Sequence, residues 1–319
     1  MYGSGYPTPT LFILWINFAV GYNLQNSLFV LLYGFIVLDI PLEMTVYNIG
    51  MSAKLSVLMI TKNAAETLEK SLASVKKIAD EIIIVDSQST DRTVEIAKNY
   101  LAKVYVKEFT DIGKQRIFGL SKATGKWVLI LDCDEIVSER LMKEIKSKID
   151  NIQIKINGYY IPYQNFFLNT PLQFGGEDYK MLRLFRRIKI YIEPSLVHNK
   201  IEVKDEKIGY LKGKIFHHSY RSLPQMFAKF TDYGIRMAKE KYLSREKSSF
   251  KKVFVYPIHM FWARFVEDKG YEDGFFRIPL DLGFAYMEFV TYLFLFFMSF
   301  PRRRESRLKL HYHMKIGFI

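Results

Sequence analysis

Cysteine is nearly missing from this chain: Cys133 is the only one in 319 residues, which excludes an internal disulfide and suits a reducing compartment. Lying between Asp132 and Asp134, it is also a poor zinc site, and it reads as a small side chain turned back into a sheet. Lysine and arginine are missing from residues 1–50, which hold only Asp39 and Glu43 as charged groups, so the basic n-region of a signal peptide is not found there. Long apolar runs are missing too. Leu11–Val20 and Leu28–Leu38 are separated by Gly21-Tyr-Asn-Leu-Gln-Asn-Ser27, and neither reaches the ~20 residues of a spanning helix. This segment reads as a polar-interrupted membrane segment, a hydrophobic hairpin, or translation upstream of a start at Met51, with the last favoured because Met51-Ser-Ala-Lys54 leads directly into a strand. There is no zinc knuckle, helix-turn-helix or aromatic RNA-binding sheet motif, so no nucleic-acid partner is expected.

The rest of the composition is globular, with 49% hydrophobic and 16% aromatic residues. The net charge of +13 is unevenly spread: residues 51–150 hold 17 basic and 15 acidic side chains, residues 151–319 hold 29 and 16. Such a basic half fits an anionic membrane surface or a phosphate-bearing substrate.

From Lys54 the apolar pattern alternates strand and helix, which predicts a parallel α/β sheet. Strands are expected at Leu55–Ile60, Ile82–Val85, Val104–Val106 and Trp127–Leu131, with Asn63 and Glu66 capping the first helix and further helices over 87–100, 113–123 and 138–148. Three strand ends then carry polar residues: Thr61 and Asn63, Asp86, and Asp132 with Asp134. Carboxyl ends of parallel strands are where open α/β sheets bind ligands. In an extended chain Asp132 and Asp134 point the same way, and two convergent carboxylates suit Mg²⁺ or Mn²⁺ held together with substrate phosphates. Shorter strands follow at 158–163, 181–185, 201–203 and 212–216. A long helix begins at Ser222-Leu-Pro-Gln225, with Phe227, Phe230, Gly234 and Met237 along one face.

These residues resemble the family 2 glycosyltransferases of GT-A fold, and within them the lipopolysaccharide core glucosyltransferase-like branch. The likeness rests on Ser56-Val-Leu-Met-Ile-Thr-Lys-Asn63, Ile84-Val-Asp-Ser-Gln-Ser-Thr-Asp91 and Gly125-Lys-Trp-Val-Leu-Ile-Leu-Asp-Cys-Asp-Glu135. Arg183-Leu-Phe-Arg-Arg187, Val197-His198 and Ile215-Phe-His-His-Ser-Tyr220 point to the branch. It implies a Rossmann-like nucleotide-binding half with a mixed central sheet and a C-terminal α+β or helical extension. It also implies inverting, metal-dependent transfer from a nucleotide diphosphate sugar to a lipid-linked or cell-surface glycan. By position, Thr61 and Asp86 would contact the nucleoside, Asp132 the ribose or sugar, and Asp134 the metal; Lys114 or Arg116 would add positive charge. Ile117 stands where the family commonly has Asn after this Arg, and Asn199 where relatives often have Glu. Phe174-Gly-Gly-Glu-Asp178 is the expected acceptor loop, with Asp178 or Glu177 as catalytic base, and one or two of Arg183, Arg186 and Arg187 would face phosphate. His198 and His217 read as structural hydrogen-bonding residues. Two other readings are a polyprenyl-phosphate sugar transferase, whose phosphate acceptor needs no base, and a non-catalytic sugar-nucleotide-binding protein.

The expected division is a hydrophobic segment over 1–50, a GT-A domain over 51–245 and an aromatic, basic region over 246–319. In the last, Phe289–Phe300 is an apolar run about 18 Å long as a helix, short of a ~30 Å hydrocarbon core, and Pro301-Arg-Arg-Arg304 follows. A monotopic anchor on the cytoplasmic face of the membrane is therefore expected, with a single span as the alternative.

Overall fold

The computed structural model describes residues 54–299 apart from 152, 154, 194–199 and 204–206. The hydrophobic segment over 1–50, the Met51 start, Val197-His198, Asn199 and the basic tail from Pro301 lie outside the described residues.

The first half is built as its pattern predicts. Parallel strands β1 (Leu55–Thr61), β2 (Glu81–Asp86), β3 (Lys103–Val106) and β4 (Trp127–Ile130) alternate with α1 (Leu68–Val75), α2 (Thr93–Asn99) and α3 (Ile112–Lys122). Both faces of β1 and β2 are covered, so these strands are almost continuously apolar, and the alternation of side chains sorts them into two layers. Leu55, Val57, Met59, Ile82 and Ile84 join Leu68, Leu72 and Val75 of α1 on one side; Leu58, Ile83, Val85, Val128 and Ile130 face α3 on the other. Gly119 lets α3 sit directly on the sheet, since a Cβ there would lie 2.2 Å from Leu58 Cδ1.

Glu81, at the start of β2, is a buried acid that the apolar pattern does not announce. It accepts from Ser56 Oγ at 2.6 Å and Thr124 N at 2.6 Å and pairs with Lys103 Nζ at 2.7 Å, tying β1, β2, β3 and the approach to β4 together. Burial opposes its ionised form, but these donors outweigh burial and hold the carboxyl at about 2.

Beyond β4 the chain adds β5 (Glu135–Val137), α4 (Glu139–Asp150), β6 (Gly158–Phe167), β7 (Thr170–Pro171), β8 (Lys180–Arg186), β9 (Ile190–Ile192), β10 (Ile201–Val203), β11 (Ile208–Tyr210) and β12 (Ile215–Tyr220). The mixed sheet runs β3-β2-β1-β4-β8-β6-β12-β5, with β8 antiparallel to β4 and β6, and β5 antiparallel to β12. β6 is longer than its pattern suggests, and the strand expected at 212–216 lies at Ile215–Tyr220, because residues 212–214 are used to close onto α4. Lys212 N and Gly213 N donate to Glu144 Oε2, and Lys214 N to Ser138 Oγ.

The second half ends in helices α5 (Leu223–Leu243), α6 (Phe250–Trp262) and α7 (Ile278–Ser299). α5 starts as expected, with Ser222 Oγ accepting from Gln225 N. Its buried face is Met226, Phe230, Gly234 and Ala238, which puts Phe227 and Met237 to the side. Gly234 admits α7 closely: a Cβ would lie 2.9 Å from Val290 Cγ1. Phe275–Ser299 is the one helix among the described residues long and apolar enough to cross a membrane, and a third of it is buried inside the protein.

Candidate active site

The carboxyl ends of β1 and β2 meet in a hydrogen-bonded hub. Thr61 Oγ1 donates to Asp86 Oδ1 at 2.8 Å, and Asp86 also accepts Ser89 N at 2.8 Å and Ser89 Oγ at 2.6 Å. Asn63 does not cap α1. It sits at a left-handed φ of 48° and its Oδ1 accepts Thr90 N at 2.8 Å, while α1 begins at Leu68 after Thr67, which makes no side-chain cap. The capping box read at Asn63 and Glu66 is thus replaced by a clasp between the loops after β1 and β2.

After β4 the chain does not stay extended. Glu135 N donates to Asp132 O at 3.1 Å, closing a turn, so Asp132 and Asp134 take different partners rather than sharing a face by alternation. Asp132 Oδ1 accepts Arg116 Nη2 at 2.7 Å and Oδ2 accepts Arg183 Nη2 at 3.0 Å. The same Arg183 atom lies 3.1 Å from Glu135 Oε1, and Arg183 Nε donates to Tyr163 Oη at 2.6 Å. Burial disfavours the Asp132 carboxylate, yet Arg116 and then Arg183 overcome it and hold the carboxyl well below its usual range. Glu135 is fully enclosed; burial, with the nearby Asp132 charge, pushes it upward against Arg183. Arg183 Nη1 is buried with no acceptor among the described residues, which leaves a donor beside Asp132.

Asp134 faces the second half of the chain. Its Oδ2 lies 3.3 Å from Lys229 Nζ on α5 and its Oδ1 3.6 Å from His217 Nε2 on β12. Burial again opposes ionisation, but the Lys229 and His217 charges depress the carboxyl far more. Burial lowers His217, and Asp134 outweighs it, so the imidazolium is favoured. Cys133 points away into the core, its thiol pushed up by burial and by the flanking aspartates, as suits a non-ligand.

No three His, Cys, Asp or Glu side chains gather into a complete cation cage among the described residues. Asp134 and His217 nevertheless converge as one hard oxygen and one imidazole. The Asp134 carboxylate fits Mg²⁺ or Mn²⁺ completed by water and substrate phosphates, and the imidazole joins it only once a bound ion has displaced the proton that His217 otherwise holds.

The loop 173–178 is held by the C-terminal helices. Arg277, fully buried, donates to Phe174 O at 2.8 Å and Gly175 O at 2.9 Å and pairs with Asp273 at 2.7 Å, Asp281 at 2.9 Å and Glu177 at 3.3 Å. Glu177 also pairs with Arg264 and accepts Asn165 Nδ2 at 2.6 Å. Gly175 has φ +64°, and a Cβ there would lie 2.0 Å from Arg277 Nη2, so only glycine fits on both counts. Asp178 is exposed, and its neighbour Tyr179 stacks on Tyr163 at 5.1 Å, the same tyrosine that receives Arg183.

The structure thus brings together Thr61, Asn63 and Asp86 in one clasp and Asp132, Arg116 and Arg183 in another, with Asp134 beside the latter. Lys114 is not among them: its side chain is largely exposed and pairs with Asp111, the residue that caps α3. Arg186 and Arg187 do not reach the acids either. Arg186 pairs in register with Trp127, at the start of β4, and lies over its ring, and Arg187 bonds Gly125 O. Glu135, Tyr163, Lys229, Arg264 and Arg277 were not singled out from sequence as site residues. Only Glu135, completing the acidic triplet, had a local signal.

Residues 56–199 match the family described as Glycosyl transferase family 2. An uncharacterized glycosyltransferase of Rickettsia bellii is 30% identical over 279 residues, spanning 82% of this chain and 94% of the relative. The poly(ribitol-phosphate) beta-N-acetylglucosaminyltransferase TarS of Staphylococcus aureus is 26% identical over 176 residues, 49% of this chain and 29% of TarS. The crystal structure of S. aureus TarS 1-349 in complex with UDP aligns at 15% identity and a TM-score of 0.38, covering 76% of this chain and 90% of that one. The chain belongs to the family 2 glycosyltransferases, enzymes of GT-A fold that use a nucleotide sugar.

Proposed function

We propose that this enzyme transfers a sugar, with inversion, from a nucleotide diphosphate sugar to a lipid-linked or cell-surface glycan of the lipopolysaccharide core kind, at the cytoplasmic face of a membrane and with Mg²⁺ or Mn²⁺. The observation that carries the reading is the division of labour at the rim. Asp132 is clamped between Arg116 and Arg183, while Asp134 faces His217 and Lys229.

In this reading Thr61, Asn63 and Asp86 form the wall for the nucleoside, and Asp132, oriented by its two arginines, accepts hydroxyls of the ribose or sugar. Asp134, joined by His217 once that imidazole has given up its proton, would hold the divalent ion, which would supply positive charge against the departing diphosphate. Lys229, beside Asp134, adds a fixed cation at the same edge, where charge develops as the glycosidic bond to phosphate breaks. Asp178 takes the proton of the acceptor hydroxyl as its oxygen bonds to the anomeric carbon, and the electron pair of the broken bond leaves with the diphosphate. Glu177 is occupied by Arg264, Arg277 and Asn165, so its part is to hold the loop that presents Asp178.

The test is to screen uridine, guanosine and thymidine diphosphate sugars with Mg²⁺ or Mn²⁺ and glycan acceptors, reading products by mass spectrometry and their anomeric configuration by NMR. Transfer with inverted configuration is expected. Binding of a nucleotide sugar without turnover of any would overturn the reading.

A further inference from the structure

The outer face of α6 takes no part in the site. Within Phe250–Trp262 only Val253 and Pro257 are buried, and Phe250, Phe254, Ile258 and Trp262 form a row at i, i+4 spacing, 69%, 58%, 70% and 54% exposed. Val255 flanks the row at 46% exposure. Single exposed apolar residues are ordinary, whereas a contiguous row of large ones marks an interaction surface. The row continues onto the end of α7: the Phe250 ring lies 4.9 Å from Phe296, which lies 6.0 Å from the exposed Phe297.

The charge pattern selects the partner. α6 contains no acid, and its first turn, where the helix dipole disfavours cations, holds the exposed Lys251, while Lys252 is paired with Glu246 at 2.8 Å. In sequence, Phe297 is followed shortly by Arg302-Arg303-Arg304. A second copy packed with its α6 parallel would set Lys251 against a like charge, whereas an anionic bilayer accepts an apolar helix face and the cation beside it together.

We propose that the outer face of α6, with the end of α7, lies in the interfacial layer of an anionic bilayer, resting on the membrane without spanning it. This rests on and deepens the reading of a membrane-surface acceptor. Trp262 is two residues from Arg264, the arginine that pins Glu177, so docking of α6 brings the loop bearing Asp178 to the lipid surface where such an acceptor is found.

The test uses the full chain in flotation with phosphatidylcholine vesicles, with and without phosphatidylglycerol. Wild-type protein should float with the anionic vesicles and less in high salt. Phe254→Ser combined with Ile258→Ser, both exposed and so compatible with folding, should lower partition roughly tenfold or more, and Lys251→Glu should weaken it further. Folding is checked by circular dichroism, and nucleotide-sugar hydrolysis in the absence of vesicles should not change. Flotation of the double variant equal to wild type would overturn the proposal, placing the membrane contact in residues 1–50 or the basic tail. Failure of the wild type to float, with a dimer that the double substitution dissociates, would overturn it in favour of a second copy. Because flotation is read without turnover, an inactive protein that floats as expected counts against the enzymatic reading alone.

Discussion

Replacing Arg277 with methionine tests whether the C-terminal helices are part of the catalytic unit. The guanidinium is fully buried and donates to two loop carbonyls, Phe174 O and Gly175 O, while pairing with Glu177, Asp273 and Asp281. Methionine keeps much of the volume and removes every donor. Asp281, itself fully buried, and Glu177 then share Arg264 alone, and Asp273 loses its pairing with Arg277. Removing one partner of a buried ion pair costs about 3–5 kcal/mol, because the remaining charge is left without compensation. At a sensitivity of about 2–4 °C per kcal/mol, that lowers the melting temperature by roughly 10 °C. The released loop would also misplace Asp178, the proposed base, and an error of about 1 Å in a reacting group costs on the order of 10²-fold in rate. The expected result is a folded but less stable enzyme, with kcat down far more than donor affinity. Arg277→Lys should recover part of the stability but little of the rate, since an ammonium cannot fork across both carbonyls and the acids. Thermal unfolding with steady-state kinetics decides it. A variant with wild-type melting temperature and kcat would refute the reasoning.

Asp134→Ala should lower turnover by at least ~10²–10³ with the fold intact, and near wild-type activity at saturating Mn²⁺ would exclude the residue from the metal and diphosphate site. Asp178→Asn should reduce transfer by about 10²–10⁴, the span of a positioned base, with nucleotide-sugar affinity unchanged by calorimetry; equal loss of affinity would place it in the donor site instead. Glu81→Gln should cost about 3 kcal/mol at neutral pH, since the carboxyl is held at about 2 in the folded chain against 4.5 unfolded. Because a depressed carboxyl stabilises above its unfolded pKa and loses that effect as pH falls through the folded one, the gap between wild type and variant should close between pH 4.5 and about 2. Urea midpoints that differ equally at all pH values in that window would contradict it.

The nucleotide-binding half was legible because its information is local. Leu55–Thr61 and Glu81–Asp86 are apolar runs ending in polar residues, and their parallel pairing puts Thr61 opposite Asp86 without reference to the rest of the chain. What was not legible is what holds each acid. Asp134 meets Lys229 across 95 positions of sequence and Asp132 meets Arg183 across 51, distances over which periodicity carries no signal. The turn at Asp132 was hidden for a related reason. Alternation predicts a shared face only while the backbone stays extended, and a single bond from Glu135 N to Asp132 O ends that condition.

Those long-range partners also change how the basic half of the sequence reads. Residues 151–319 hold 29 cationic side chains against 16 acids, which by composition alone suggests one broad anion-attracting surface. Several of those cations are turned inward: Arg183 and Lys229 face the rim acids, and Arg264 and Arg277 fasten the loop 173–178. Each is fixed by a carboxylate, so none is free to meet a membrane. The proposed attraction to lipid would come from cations that remain outside, such as Lys251 on the exposed face of α6. The excess of charge is therefore divided, with an inward group that shapes the site and an outward group that is left to solvent or to the proposed membrane contact.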